Sequence, residues 1–177
     1  DLACSVCNYL NVPVGGSKVE QFPDGEKVIK LEDDVRGRDC FVVQSTCKPV
    51  DENLMELLIY IDCLRRASAN RITVVVPYFG YARQDRKDEG RVPITAQLVS
   101  NLIPVAGANR VIAIDLHAQQ LQGFFDIPVD HLTGELVLSK YFLNKKIEGL
   151  TVVSPDVGNM KMSSKYADHL GGDLAIV

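Results

Sequence analysis

The sequence predicts an α/β protein built on a parallel sheet with helices on both faces. Two observations carry this. Short continuous apolar runs alternate with segments of helical periodicity, the pattern of parallel strands joined by helical crossovers. In addition, three of those runs lead straight into polar, turn-forming sequence, which is where open parallel sheets bind ligands.

The runs expected as buried strands are Phe41–Val43, Ile72–Val76, Val111–Ile114, Val152–Val153 and Leu174–Val177. The clearest helix starts at Asp51, a plausible N-cap, and carries Leu54, Leu57, Leu58, Ile61 and Leu64 on one face. Further helices are expected over Thr95–Ala106, with Pro104 disturbing its end, over Glu135–Leu143 and over Lys161–Leu170. Asp1–Leu10 reads as an amphipathic helix through Leu2, Val6 and Leu10. Val19–Phe22 and Val28–Leu31, joined by Pro23-Asp24-Gly25, read as an extended hairpin. A boundary is expected near Leu132–Gly134, making 1–133 one domain and 134–177 the start of a second, incomplete one. The last strand candidate runs into the final residue, which reads as a fragment.

Composition excludes several classes. With 46% hydrophobic residues among 177, a sizeable core is available, and the net charge of -4 argues against a nucleic-acid partner. No apolar run approaches the roughly 18 residues of a membrane span, and no secretory pattern opens the chain. Five cysteines at scattered spacing make a poor disulfide framework, so reduced thiols and a cytoplasmic location are expected. Cys4 and Cys7 form a lone C-x-x-C without the second pair that zinc requires, and read as small helix residues.

The polar strand ends hold the candidate chemistry. After Val76 comes Pro77-Tyr78-Phe79-Gly80-Tyr81-Ala82-Arg83-Gln84-Asp85-Arg86-Lys87. Mixed charge of this kind is commonly solvated surface, but aromatics beside arginines also offer stacking for a base and forked donors for phosphate. After Ile114 come Asp115 and His117, with Asp126 and Asp130 close in sequence, a set able to hold a divalent metal or to be merely structural. His131 and His169 lack such company and read as structural or surface residues. Asp156 stands before Gly158 at a helix entry, where it reads equally as an N-cap or as part of an anion site. Asp24-Gly25 reads as an ordinary turn. Neither a Rossmann fingerprint nor a Walker A loop is present.

Phe22–Glu26, Asn53–Leu58, Pro77–Lys87, the long run Asp115–Asp130 and Ser154–Gly158 occur in an order and spacing that resembles the ribose-phosphate pyrophosphokinases, over nearly the whole chain. The resemblance implies phosphoribosyltransferase-like α/β domains, a requirement for ATP and Mg²⁺, and hexamers built from dimers. It implies that Arg83 and Gln84 contact ATP with Asp85 and Arg86 nearby. Phe22, Asp24, Gly25 and Glu26 would reach the adenine from a neighbouring subunit. His117 and Asp156 would serve Mg²⁺, supported by Asp115, Asp126 and Asp130. The reaction implied is attack of the 1-hydroxyl of ribose 5-phosphate on the β-phosphorus of ATP. No catalytic residue is expected within this chain: the family's catalytic loop and ribose-phosphate motif lie beyond Val177, so the stretch alone is expected to be inactive. Its amino end also lacks the family's initial strand. After Gly158 relatives carry a second glycine and then arginines, where this chain has Asn159-Met160-Lys161-Met162-Ser163-Ser164. The alternative is a non-catalytic regulatory subunit of the same assembly. A nicotinamide-binding Rossmann domain would need the missing glycine fingerprint, and a plain phosphoribosyltransferase would not need the residues around Asp24 and Arg83.

Overall fold

The structure, a computed structural model, describes residues 2–177. The chain divides into two compact units, one ending at Leu132 and the other spanning Thr133–Val177.

The first unit opens with α1 (Leu2–Leu10), which buries none of its residues; the helix expected from Asp1 is observed from Leu2, Asp1 lying outside the described residues. An antiparallel hairpin follows, β1 (Ser17–Gln21) against β2 (Lys27–Leu31), with Gln21 opposite Lys27. Gly25 at φ +96° supplies the left-handed turn residue that a side chain would resist. The hairpin packs on α2 (Val50–Arg66): Lys27 Nζ lies 2.6 Å from Glu56, both side chains largely covered, and the Ser17 and Tyr60 hydroxyls are 2.8 Å apart.

The main sheet is parallel, in the order β3 (Asp39–Val43), β4 (Arg71–Val76), β5 (Arg110–Ile114), β6 (Val129–Leu132). Ile72, Val74 and Val76 of β4 and Val111 and Ala113 of β5 are buried, with Val74 beside Val111 and Val76 beside Ala113. Leu57, Ile61 and Leu64 of α2 bury the face that their spacing defines, and Val99 and Ile103 of α3 (Thr95–Ala106) join the same core. Each such aliphatic side chain contributes about 1.5–3 kcal/mol. Strands in consecutive order with helical crossovers place α2 and α3 side by side, and the two helices pack together. Of the residues alternating with this core set, Thr73 is buried, Val75 and Ile112 are half-buried and Phe41 is exposed.

α3 has the expected bounds, Thr95–Ala106, with Pro104 in its last turn and Gly107, φ +128°, closing it. Two expectations need correction. Asp51 is not the N-cap of α2; Pro49 holds that position and Asp51 sits in the first turn. Residues 119–132 hold two elements that apolar pattern did not announce, a 3-10 helix over Gln119–Phe124 and the strand β6.

In the second unit, β7 (Thr151–Ser154) and β8 (Asp173–Ile176) pair in parallel around α5 (Met160–Leu170), and α4 (Glu135–Lys145) packs on α5. Glu135 is buried and lies 2.8 Å from His169 Nδ1. Much of the apolar surface of α4 is exposed, including Leu136, Val137 and Tyr141. No helix among the described residues is long and apolar enough to cross a membrane.

Candidate functional site

The chain leaves β4 at Val76 and is held at once. Thr46, buried in the segment after β3, donates its hydroxyl to the Tyr78 carbonyl at 2.9 Å and accepts from Gly80 N at 2.7 Å. Its own N–H also reaches the Tyr78 carbonyl, at 3.0 Å. A Cβ on Gly80 would stand 2.6 Å from the Thr46 carbonyl oxygen, so only glycine fits. Tyr81 follows at φ +64° and donates its hydroxyl to Asp51 in the first turn of α2. That bond to a carboxylate holds the phenol above its ordinary range, with desolvation adding to the effect. Gln84 then anchors the loop to α3: its carbonyl accepts from Ala96 N at 3.1 Å and its side-chain oxygen from the Thr95 hydroxyl at 2.5 Å.

β5 ends with comparable restraint. Asp115, φ +46°, turns the chain and donates its N–H to the Leu132 carbonyl at 3.0 Å. Leu116 is buried and its N–H donates to His131 Nε2 at 3.0 Å. Asp115 and His117 on either side of it are exposed.

Between the two strand ends lies a cleft of about 670 Å³, lined by residues including Asp51, Tyr78, Arg83, Gln84, Asp115 and His117. The structure thus brings Arg83, Gln84, Asp115 and His117 into one site. Arg83 and His117 have no hydrogen-bonded or ionic partner among the described residues. The other candidates lie elsewhere. Asp85 and Arg86 are not in the cleft lining, and Arg86 pairs with Asp88 at 2.8 Å on open surface, which contributes little. Asp126 is exposed and outside the lining. Asp130 receives two hydrogen bonds from Arg110, at 2.5 and 2.7 Å, and that guanidinium holds its carboxyl below the usual range. Phe22, Asp24, Gly25 and Glu26 form the exposed hairpin tip, where Asp24 accepts from Glu26 N at 3.2 Å. Asp156, in the second unit, N-caps the short 3-10 turn Val157–Asn159, accepting from Asn159 N at 2.8 Å.

Phe79 is buried edge-to-face on Phe125, 5.7 Å between centroids, and lines the cleft together with Tyr78 and Tyr81. No group of three or more acidic, histidine or cysteine side chains is gathered for a metal among the described residues. Asp51, Asp115 and His117 line the cleft without forming such a group, an arrangement that suits an ion such as Mg²⁺, which keeps most of its water and takes few protein ligands. Thr46 was missed although it lies in the polar run Gln44–Thr46 after β3, because that run carries no charge or motif that marks a ligand contact; His131, read as structural or surface, holds the Leu116 N–H.

Fold and site together define a parallel α/β protein with a cationic and acidic ligand cleft at the carboxyl edge of its sheet. A family profile described as the N-terminal domain of ribose phosphate pyrophosphokinase matches residues 1–107. The ribose-phosphate pyrophosphokinase of Rhodopirellula baltica is 58% identical over 179 residues, covering 100% of this chain and 57% of that protein. The enzyme of that name from Bacillus subtilis is 51% identical over 177 residues, covering 100% of this chain and 56% of its own. The crystal structure of phosphoribosylpyrophosphate synthetase from Mycobacterium smegmatis superposes with a TM-score of 0.91 at 44% identity, over 99% of this chain and 59% of that one. The chain belongs to the ribose-phosphate pyrophosphokinase family, with its phosphoribosyltransferase-like α/β fold. It spans a little over half the length of these relatives.

Proposed function

We propose that this chain carries the nucleotide side of a ribose-phosphate pyrophosphokinase. The parent enzyme passes the pyrophosphoryl group of Mg-ATP to ribose 5-phosphate. The observation that carries this reading is the cleft that joins the partnerless Arg83 and His117 with Gln84 and Asp115 at two adjacent strand ends. Arg83 supplies a fork of donors for phosphate oxygens. Gln84, its side-chain oxygen engaged by Thr95, keeps its amide N–H groups for a ligand. Tyr78 and Tyr81 offer the apolar wall for a base or sugar.

In the reaction, the 1-hydroxyl oxygen of ribose 5-phosphate bonds to the β-phosphorus of ATP. The bond from that phosphorus to the α,β-bridging oxygen breaks, AMP leaves with the bridging oxygen, and the hydroxyl proton is released to solvent or a base. Such a transfer asks the protein mainly for alignment and for stabilisation of phosphate charge. A bound Mg²⁺ would supply neutralisation of phosphate charge there. Asp115 and His117 are the residues of this chain that would hold it or its water shell. The groups that bind ribose 5-phosphate are assigned to the part of the relatives that this chain does not span. The hairpin tip Phe22–Glu26 is assigned to the cleft of another copy in a homo-oligomer, a hexamer by the family resemblance, since it does not line its own. A cytoplasmic location fits substrates of this kind.

The test is calorimetric titration of Mg-ATP into the chain and its Arg83→Ala and His117→Ala variants, with oligomer size recorded. Binding that weakens about tenfold or more in each variant is expected from the loss of a charge-assisted contact. Absence of binding by a folded oligomer would refute the nucleotide role and favour a regulatory subunit.

A further inference from the structure

We propose that His131 is a positioning residue for the cleft: its imidazole fixes the peptide between Asp115 and His117 and so sets both side chains against the nucleotide. The proposal rests on the nucleotide reading of the cleft. His131 stands on β6, opposite Ala113 of β5, and is not among the cleft-lining residues. Its Nε2 lies 3.0 Å from the backbone nitrogen of Leu116. A peptide N–H can only donate, so Nε2 is the acceptor and the ring hydrogen is on Nδ1.

The position of that bond gives it its effect. β5 ends at Ile114, and Asp115 turns the chain through the left-handed region, which costs an L-residue energy unless its neighbours hold it there. The neighbours do. On one side the Asp115 N–H is bound to the Leu132 carbonyl. On the other, the Leu116 side chain is buried and its N–H is taken by His131. Without that acceptor, a covered N–H has no partner and the turn loses a restraint. Asp115 and His117 are exposed and line the cleft, so their placement follows the peptide that joins them. Preorganisation of this sort affects ligand affinity through a residue that touches no ligand.

Two substitutions separate the acceptor from the bulk. His131→Phe keeps a planar ring and removes the acceptor. His131→Gln places a carbonyl oxygen at the reach of Nε2 from Cβ and restores it. In the ¹⁵N-labelled chain, side-chain nitrogen shifts are expected to show the Nδ1–H tautomer, and the Leu116 amide to exchange more slowly than that of His117. In His131→Phe the Leu116 amide is expected to exchange about tenfold faster and Mg-ATP affinity to fall about tenfold, the worth of one lost hydrogen bond. His131→Gln is expected to return both to within about threefold of the parent. An Nε2–H tautomer, or a His131→Phe chain that binds Mg-ATP like the parent, overturns the proposal. If the parent chain itself binds no Mg-ATP, the nucleotide reading fails, and the tautomer and exchange data still decide whether His131 holds the loop.

Discussion

Gly80→Ala tests whether the loop after β4 is built as tightly as its geometry indicates. The new Cβ would lie 2.6 Å from the Thr46 carbonyl oxygen, 2.8 Å from Val50 Cγ1 and 3.2 Å from the Thr46 hydroxyl. Two of these three atoms belong to the residue that pins the loop, and one of them is backbone, so neither can swing away. Overpacking of this kind costs about 1–3 kcal/mol. Relief of the clash also stretches the 2.7 Å bond from Gly80 N to the Thr46 hydroxyl, worth about 1 kcal/mol more. The expected loss is about 2–4 kcal/mol, a fall in melting temperature of roughly 10 °C for a unit of this size. Urea and thermal unfolding followed by circular dichroism and tyrosine fluorescence measure it. The control is Gly90→Ala, where a Cβ has nothing within 4 Å and the backbone is unstrained, with an expected change inside about 0.5 kcal/mol. If Gly80→Ala unfolds with Gly90→Ala, the loop is not pinned by Thr46 and the account of the cleft wall is wrong.

Tyr81 is one of six tyrosines, and its hydroxyl bond to Asp51 raises its ionisation. That bond stabilises the fold fully below about pH 10 and is lost as pH rises through the elevated value, so an alkaline absorbance titration should show a late phase that Tyr81→Phe removes. Glu56→Ala leaves the Lys27 ammonium, only 16% exposed, without its partner. A loss of about 2 kcal/mol is expected, with faster amide exchange in Val28–Lys30, and unchanged stability would show that the pair does not hold the hairpin. Asp130 is depressed by the guanidinium of Arg110, so the pair stabilises above about pH 4 and the effect fades as pH falls through the lowered value. Arg110→Gln should therefore flatten the acid limb of the stability profile while leaving Mg-ATP binding intact. Weakened binding in that variant would mean that the salt bridge also shapes the cleft.

The parallel α/β frame was legible because its inner strands are nearly pure aliphatic runs and α2 repeats its apolar residues every three or four positions. Ile72–Val76 could be little else. β6 was not legible because two of its four residues are Asp130 and His131, polar groups paired with Arg110 and with the Leu116 N–H, so its strand character shows only in the ladder to β5. The 3-10 helix Gln119–Phe124 has three glutamines and a glycine in six residues and no helical periodicity to read. Pro104 marked the end region of α3 correctly: it lies in the last turn, and the helix closes at Gly107. Within the cleft, Arg83, Gln84 and His117 were legible as polar residues following apolar strands. The packing of Phe79 on Phe125 was not legible, because a mixed aromatic run does not say which ring faces the core and Phe125 lies 46 positions away.

What the motifs hid is how the ligand-facing loops are held. Each inner strand's loop is pinned by a side chain from the strand on its outer side. Thr46, just past β3, grips the loop after β4; His131, on β6, grips the loop after β5. In both cases the bond runs from a side chain to the backbone, so the pinned side chains do not name their partners: Leu116 carries no trace of the bond, and Gly80 shows only that something approaches closely. Exposed groups such as Arg83 and His117 need the right chemistry and are recognisable from it. The groups that place them need only one acceptor or donor at the right register, which threonine and histidine supply anywhere in a sheet. A site of this design depends less on the number of its ligands than on the rigidity of two loops. That is consistent with a cleft whose acidic and imidazole lining, Asp51, Asp115 and His117, is not gathered into a metal cluster among the described residues.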